Sequence, residues 1–313
     1  MKNGMIFGKF MPFHRGHEFL INSARQHCER LTVLVFSTPP DPVPGWQRYA
    51  WLKNTFPDLD VRHMTGDLPN QTYWPAGIPK EVQILFESGT RYQALAQQHD
   101  LEHFTINLNR KSYPITTAEI RADPGSHWGL LPEIVRPYYL RRVALIGPES
   151  CGKSYLAGHL ATHFQTVFVE EYGRTYCEQF GMDLTDLDFA HIAGGQLYRE
   201  DEMALQANRL LFCDTELIVT QVWSEIYFQG RCQPWILWAN HLRRYDLFLL
   251  LQPDIPWEND GLREYEHQRD HLFERLEQEM QCRNLPYVVI SGSFVTRTQM
   301  AIEAVEQLIK VSI

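Results

Sequence analysis

The sequence predicts an α/β protein built from two Rossmann-like domains, each with a parallel β-sheet. Three observations support this prediction. The chain has 313 residues, enough for two ordinary domains with a core each. Strand-like and helix-like segments alternate along both halves, which is the pattern of a parallel sheet with crossover helices. In each half, a glycine-containing motif directly follows the first strand-like segment.

The first half contains a series of strand-like segments with helix-like segments between most of them. The strand-like segments are short apolar runs, whereas the helix-like segments place apolar residues three and four positions apart. The predicted strands cover residues 5–10, 31–37, 59–65, 82–87 and 104–108, and the predicted helices cover residues 17–28, 46–56 and 91–99.

A second series of strands and helices occupies the other half of the chain. Its predicted strands cover residues 141–146, 167–170, 210–214, 246–251 and 287–290, and the last helix covers residues 298–310. Between the two series, residues 123–126 read Asp-Pro-Gly-Ser, and a short aromatic stretch follows. We therefore expect a domain boundary near Tyr139, with domains at residues 1–139 and 140–313.

The composition restricts the class of protein and its partners. The formal net charge is −9, and basic residues form no cluster, which argues against a nucleic-acid partner. The six cysteines contain no C-x-x-C pair and are expected to be reduced packing thiols without structural zinc. No apolar run approaches the roughly 18 residues of a membrane span. We expect an unprocessed cytoplasmic protein without a membrane partner; a homo-oligomer is one open alternative.

The first motif lies at residues 8–17 and reads G-x-F-x-P-x-H-x-G-H after a predicted strand. Gly8 permits close approach of the backbone to a ligand, while His14 and His17 are spaced to face the same way across one helical turn. The helix N-terminus adds free N–H groups that favour an anion. A histidine pair alone is more often a surface or packing feature, but the complete motif predicts a phosphate site. Its candidate residues are Gly8, Lys9, Phe10, His14 and His17.

The second motif lies at residues 147–154 and reads G-x-x-x-x-G-K-S between a predicted strand and a predicted helix. This context predicts a phosphate loop for ATP, in which Gly147 and Gly152 let backbone N–H groups surround the phosphates. Lys153 would reach the β- and γ-oxygens, and the Ser154 hydroxyl would hold Mg²⁺. Cys151 inside the loop is interpreted as a tolerated small side chain.

Acidic residues follow the next strands of the second series. Residues 170–174 read Glu-Glu-Tyr-Gly-Arg, and residues 214–216 read Asp-Thr-Glu. Ligands of parallel sheets bind outside the carboxyl ends of the strands, so these carboxylates are candidates for a proton acceptor or a metal ligand. Helix capping is the alternative explanation. Residues 257–263, followed by Arg269, are interpreted as a lid whose arginines meet the transferring phosphoryl group.

The first half resembles the H-x-G-H nucleotidyltransferase family, whose small members join an acceptor phosphate to the nucleotidyl part of ATP. The family's second motif, I-S-x-T-x-x-R, is matched by residues 115–121. By this resemblance Thr116 and Arg121 hold the β- and γ-phosphates. The sequence departs from the pattern, because it has Thr116 for the serine and Ala118 for the second hydroxyl. One phosphate contact is therefore missing unless Thr117 replaces it.

Nearly the whole chain resembles the NadR-type family, which combines nicotinamide-nucleotide adenylyltransferase with ribosylnicotinamide kinase. Besides the two phosphate motifs, the resemblance includes residues 136–138, 171–174, 214–215, 256–257 and 260–263. It implies a nucleotidyltransferase domain followed by a P-loop kinase domain. Some members carry an N-terminal DNA-binding domain, which we expect to be absent here because the sequence begins at the transferase strand.

The resemblance also implies the reactions and the site residues. The kinase half would phosphorylate ribosylnicotinamide with ATP and Mg²⁺, and the other half would couple nicotinamide mononucleotide to AMP, giving NAD and pyrophosphate. The implied roles are general base or ribose contact for Glu171, metal-side acid for Asp214, and charge stabilisation by Arg174, Arg263 and Arg269. Trp46, Trp74 and Trp128 are candidates for stacking on the nicotinamide ring, with burial in a core as the alternative.

Three other functions remain open at this point. The first-half motif also occurs in aminoacyl-tRNA synthetases, but the sequence lacks their lysine-rich second signature. The first half could instead be a degenerate sensor that binds NAD beside a working kinase, and the Ala118 departure is the reason to consider it. A P-loop regulatory or transport-coupled ATPase without a small-molecule acceptor is the third alternative.

Overall fold

The structure is a computed structural model that describes residues 2–107, 116–258 and 266–310. By its internal contacts the chain divides into two compact units, Met1–Tyr139 (unit 1) and Leu140–Ser312 (unit 2). Within the described residues, no helix combines the length and the apolar character that a membrane crossing requires.

Unit 1 contains one five-stranded parallel sheet with the strand order β3-β2-β1-β4-β5. Its strands are β1 (Asn3–Gly8), β2 (Arg30–Ser37), β3 (Asp60–Thr65), β4 (Ile84–Glu87) and β5 (Glu102–Thr105), and its α-helices are α1 (Arg15–Arg25), α2 (Gly45–Thr55), α3 (Gln93–Gln98) and α4 (Thr117–Ala122). Every residue of β2 after the first is buried, as expected for a strand covered on both faces. Strand β1 is central, with β2 and β4 on its two sides.

Unit 2 contains a second five-stranded parallel sheet with the order β10-β9-β6-β8-β7. Its strands are β6 (Arg141–Ile146), β7 (Val167–Val169), β8 (Leu210–Asp214), β9 (Leu247–Leu251) and β10 (Tyr287–Ile290). Its α-helices are α5 (Lys153–His163), α6 (Tyr172–Phe180), α7 (Asp186–Gln206), α8 (Leu217–Tyr227), α9 (Pro234–Ala239), α10 (Arg269–Cys282) and α11 (Phe294–Lys310). Alternate residues of β6 and β9 belong to two core clusters. The central strand β6 leads directly into the phosphate loop.

The predicted parallel sheets are confirmed in both units, and the main differences lie at element ends. The strand predicted at 5–10 ends at Gly8, because Phe10 has a φ of 49°, which extended backbone does not allow. Helix α1 begins two residues before the predicted 17–28 because His14 caps it. The last helix, predicted at 298–310, begins at Phe294, one residue after Ser293, whose Oγ accepts a hydrogen bond from the Thr296 N–H at 3.2 Å.

Two candidate phosphate sites

The loop between β1 and α1 carries the first motif and places its two histidines side by side. His14 is the N-cap of α1, and its Nδ1 accepts a hydrogen bond from the Gly16 N–H at 3.0 Å. The His17 ring stacks on the His14 ring with the centroids 3.8 Å apart. The ring centroid of buried Phe10 lies 4.9 Å from that of His17. The predicted common orientation of the histidines is therefore observed, with His14 at the helix cap.

Both histidines are neutral at pH 7 in this arrangement. Burial lowers the pKa of His14 to about 4. Burial, and then the nearby charge of His14, lower the pKa of His17 well below its ordinary value. His17 Nδ1 is buried and has no hydrogen-bond partner among the described residues. A buried ring nitrogen without a partner is a group that a ligand oxygen can satisfy if the nitrogen carries a proton.

The low pKa of His14 predicts that unit 1 loses stability in acid. An unfolded histidine takes up its proton near pH 6.5, whereas folded His14 does so only near pH 4. The free energy of unfolding therefore falls as the pH drops from 6.5 towards 4, by about 2 kcal/mol at pH 5. His14→Asn keeps a helix-capping side chain but does not titrate.

The test is urea unfolding of wild type and His14→Asn at pH 7 and pH 5, with secondary structure followed by circular dichroism. The variant should lose less stability than wild type between the two pH values. An equal loss in both proteins would contradict the assignment, because His17 and all other groups titrate in both.

A buried arginine fixes the start of the first motif. Arg48 is fully buried in α2, and its Nη1 donates to the Lys9 carbonyl oxygen at 2.6 Å and to the Phe36 carbonyl oxygen at 3.1 Å. Its Nη2 donates to Asp41 Oδ2 at 2.7 Å, while Lys9 Nζ lies 2.7 Å from Asp41 Oδ1. Burial alone would raise the pKa of Asp41, but hydrogen bonds from Lys9, Thr38 and Arg48 hold it well below its usual range. The charged end of Lys9 is thus held by Asp41.

The second motif of unit 1 lies against the first. Arg121, near the end of α4, donates from Nη1 to the Met11 carbonyl oxygen at 2.6 Å. Thr116 caps α4 in a reciprocal capping box, with the Glu119 N–H donating to Thr116 Oγ1 at 3.3 Å and the Thr116 N–H donating to Glu119 Oε2 at 2.7 Å. The structure therefore brings Arg121 to the histidine loop, while the Thr116 hydroxyl is engaged in the helix cap. Ile115 lies outside the described residues.

In unit 2, the phosphate loop uses its two glycines where other residues would clash or be strained. Gly147 has a φ of 148°, and a Cβ there would lie 2.7 Å from the Leu251 carbonyl oxygen. Gly152 has a φ of 83° and caps α5. Cys151 is buried, its Sγ lies 2.9 Å from the Pro148 carbonyl oxygen, and burial raises the pKa of its thiol. Its side chain is therefore a packing group, as interpreted from the sequence.

Lys153 lies in the centre of the loop. Its Nζ donates to the carbonyl oxygens of Gly147 at 3.0 Å and Pro148 at 2.8 Å. Burial alone would lower its pKa, but neighbouring acidic groups, including Cys151, Glu171 and Asp214, raise it overall. The ammonium group is therefore charged and surrounded by the loop, as a phosphate contact requires.

The acidic residues predicted from the strand ends lie beside the loop. Asp214, at the end of β8, is buried beside the Ser154 hydroxyl, which acts to lower its pKa. Burial, and then the charge of Glu171, raise the pKa of Asp214 to about 6, whereas Lys153 and Arg174 oppose this shift. Asp214 Oδ1 has no partner among the described residues. Glu171 precedes α6 but makes no side-chain cap, so helix capping does not explain it.

The phosphate loop and Glu171 border a cavity of about 680 Å³. One part of its wall is polar and is formed by the phosphate loop with Glu171 and Arg174. Another part is aromatic and includes Trp223 and Tyr227 of α8, which the sequence analysis did not identify as site residues. Of the tryptophans proposed from the sequence, Trp128 is buried, Trp46 is exposed and Trp74 stacks on His99 at 4.0 Å.

Arg269, expected in a lid, holds the phosphate loop from outside. It is the first residue of α10 and donates from Nη2 to the Ser150 carbonyl oxygen at 3.2 Å and from Nη1 to the Ile255 carbonyl oxygen at 3.1 Å. The Glu258 N–H donates to Ser150 Oγ at 2.9 Å. The segment that contains Ile255 and Glu258 is thus held against the phosphate loop. Arg263, the other arginine of the expected lid, lies outside the described residues.

A further arginine that the sequence analysis missed supports the loop from α11. Arg297 is buried and donates from Nη1 to the Cys151 carbonyl oxygen at 2.9 Å. Its Nε donates to the Gly292 carbonyl oxygen at 2.8 Å, its Nη2 donates to the Gln252 carbonyl oxygen at 2.7 Å, and it pairs with Asp254. One side chain therefore joins the phosphate loop to the segments that follow β9 and β10.

Removal of the Arg297 side chain is expected to destabilise unit 2. Arg297→Met leaves three carbonyl oxygens and the Asp254 carboxylate without this donor. The expected cost is about 3 kcal/mol, near the lower end for a broken buried ion pair, because Asp254 keeps some contact with solvent. Thermal unfolding of the full chain measures it. Lys310→Met removes an exposed cation and should change the stability little; equal melting temperatures for both variants would contradict the assigned role.

A phosphate loop after the central strand of a five-stranded parallel sheet, with acids at neighbouring strand ends, defines unit 2 as a P-loop domain of the kinase type. A family model described as AAA domain matches residues 142–297. The chain is 32% identical over 299 residues to the trifunctional NAD biosynthesis/regulator protein NadR of Escherichia coli strain K12, covering 83% of this chain and 71% of that protein. The protein of the same name from Salmonella typhimurium is 32% identical over 297 residues, with the same coverage.

Solved structures share the fold. A NadR protein crystallised in complex with NR has a TM-score of 0.84 and 23% identity, and the match covers 100% of this chain and 98% of that chain. A NadR protein in complex with NAD and AMP-PNP has a TM-score of 0.82 and 23% identity, covering 100% and 97%. The 32% identity to the two NadR proteins, over 71% of their length, shows that the chain belongs to the NadR family.

Proposed function

We propose that the chain makes NAD from ribosylnicotinamide in two ATP-dependent reactions. Unit 2 phosphorylates ribosylnicotinamide to nicotinamide mononucleotide. Unit 1, residues 1–139, adenylylates the mononucleotide to NAD and releases pyrophosphate. The observation that carries this proposal is the presence of a separate phosphate motif after the central strand of each sheet, in a chain of the NadR family. The expected location is the cytoplasm, and the expected partners are small molecules, with a homo-oligomer as an open alternative.

In unit 2 the described residues supply the parts of a phosphoryl transfer. The 5′-hydroxyl oxygen of the acceptor forms a bond to the γ-phosphorus of ATP, the bond to the bridging β–γ oxygen breaks, and ADP leaves. Glu171 accepts the hydroxyl proton, and Lys153 and Arg174 stabilise the charge on the phosphoryl oxygens. The aromatic wall at Trp223 and Tyr227 is suited to the nicotinamide ring of the acceptor.

The residues around Lys153 also fit a Mg²⁺ ion. Asp214 has a buried oxygen without a partner in the described residues, beside the Ser154 hydroxyl. Mg²⁺ is commonly bound by one or two protein oxygens together with phosphate oxygens. When bound, the ion would neutralise negative charge on the phosphates. Within the described ranges, no cluster of three or more His, Cys, Asp or Glu side chains is placed to hold a metal.

In unit 1 the protein contributes alignment and charge stabilisation and supplies no covalent nucleophile. A phosphate oxygen of the mononucleotide bonds to the α-phosphorus of ATP, and the bond to the α–β bridging oxygen breaks to release pyrophosphate. His14, His17, Lys9 and Arg121 are the groups that meet the phosphoryl oxygens. The unpartnered His17 nitrogen and the contact of Arg121 with the histidine loop support this assignment.

A second function for unit 1 has a specific observation in its favour. Ala118 lacks the second hydroxyl of the motif, and the Thr116 hydroxyl is already used in the helix cap. Unit 1 as an NAD-binding sensor attached to an active kinase is therefore the alternative. Incubation of the protein with ribosylnicotinamide, ATP and Mg²⁺, followed by mass analysis of the nucleotides, distinguishes between these functions. NAD supports both reactions, mononucleotide alone supports the sensor, and ADP without either product supports a plain ATPase.

A further inference from the structure

Two half-exposed aromatic rings line the cavity in unit 2. Tyr155 is in the first turn of α5, and Phe294 is the first residue of α11. Their ring centroids are 5.1 Å apart, with the ring planes at 72°, and the residues are 51% and 48% exposed. Both line the cavity that also contains Lys153. Exposed apolar surface that is continuous with a polar site is characteristic of a ligand-binding surface.

The pair lies directly beside the phosphate loop. Tyr155 follows Ser154 in the chain, and a Cβ on Gly152 would lie 3.4 Å from the Phe294 ring and 3.6 Å from Ile255 Cδ1. The loop therefore passes against the edge of this aromatic surface. A planar group attached to a phosphate chain in the loop can reach these rings without leaving the cavity.

The other aromatic residues of the cavity lie on α8, the helix that follows the strand ending at Asp214. Trp223 and Tyr227 are on α8, which begins three residues after Asp214, and the charge of Glu171 acts on Asp214. Under the proposed reaction, the acceptor hydroxyl has to approach these carboxylates. The ring of the acceptor is then bound by Trp223 and Tyr227 of α8. Tyr155 of α5 and Phe294 of α11 are therefore available to bind the base of the phosphoryl donor.

We propose that Tyr155 and Phe294 form a stacking subsite for the base of the nucleoside triphosphate that donates the phosphoryl group. This inference rests on the kinase function proposed for unit 2. Every base has a π-face, so two aromatic side chains can stack on any nucleotide base with little preference for its identity. We expect GTP to replace ATP with a KM of similar magnitude.

The first test is steady-state kinetics of mononucleotide formation by the full chain. Phe294→Ala and Tyr155→Ala should raise the KM for ATP about tenfold or more, with kcat and the KM for ribosylnicotinamide close to wild type. Phe294→Trp should restore the KM for ATP. Phe180→Ala removes an aromatic ring that is 63% exposed and does not line this cavity, so it is the matched control. An unchanged KM for ATP, or an increased KM for ribosylnicotinamide instead, overturns the proposal.

The second test does not depend on the acceptor. The full chain is irradiated with 8-azidoadenosine triphosphate, and labelled peptides of unit 2 are identified by mass spectrometry. Label on the peptides that contain Tyr155 or Phe294 supports the subsite, even if ribosylnicotinamide is not phosphorylated, in which case only the proposed acceptor is wrong. Label confined to the peptides of Trp223 and Tyr227, or absent from all of these peptides, overturns the subsite.

Discussion

Lys153→Ala is expected to reduce the formation of nicotinamide mononucleotide from ribosylnicotinamide and ATP by about 10²–10³-fold or more. The ammonium group lies inside the phosphate loop, where its charge would act on the phosphoryl oxygens in the transition state. Mass analysis of the product at saturating ATP measures the effect.

Because Lys153 Nζ also donates to two carbonyl oxygens of the loop, the variant has to be shown to fold. An unchanged melting temperature together with lost turnover assigns the effect to chemistry. Lys310→Ala, which removes an exposed lysine at the end of α11, is the control and should keep full activity. Normal turnover of the folded Lys153→Ala protein would rule out a phosphoryl transfer at this loop.

His17→Ala is expected to abolish the formation of NAD from nicotinamide mononucleotide and ATP. Supplying the mononucleotide bypasses the kinase, so the same reaction should persist in Lys153→Ala. Removal of one group that stabilises the phosphoryl charge typically costs about 10²–10³-fold in rate. Time courses long enough to detect slow NAD formation are needed, because the second motif departs from the family pattern at Ala118.

The control for His17→Ala is His27→Ala, which removes an exposed imidazole beyond the C-terminus of α1. That variant should form NAD at the wild-type rate. If wild-type protein binds NAD but forms none with any divalent metal, unit 1 is a sensor. Recovery of activity in Ala118→Thr would then identify the missing hydroxyl as the cause.

The parts of the sites that depend on neighbouring residues could be predicted from the sequence. The phosphate loop is contiguous, and its glycines, Lys153 and Ser154 take their positions from one strand-to-helix turn. His14 and His17 are likewise fixed relative to each other by the start of one helix. The positions of Glu171 and Asp214 followed from a general property of parallel sheets, whose strands end at the same edge.

Other parts depend on contacts between distant segments, and no local pattern indicates them. Arg297 is 146 residues from Cys151, whose carbonyl oxygen it binds, and its own helix is otherwise an ordinary amphipathic helix. Trp223 and Tyr227 lie in α8, where many residues are buried, so an aromatic residue facing a cavity cannot be distinguished by spacing from one in the core. From the sequence alone, Arg48 would be placed on the solvent-exposed face of α2. It is fully buried, because three carbonyl oxygens and Asp41 surround its guanidinium group.

The two ends of α10 have very different environments, and its exposed end is a suitable attachment site for a fluorescent label. The first residue, Arg269, holds the Ser150 carbonyl oxygen, and the last, Cys282, is exposed, about 20 Å away along a helix of 14 residues. All six cysteines lie in the described ranges, and only Cys282 is exposed. Because burial raises the pKa of each of the other thiols, a maleimide dye at neutral pH reacts first at Cys282. The unmodified sequence therefore accepts a fluorophore at the far end of the helix that braces the phosphate loop.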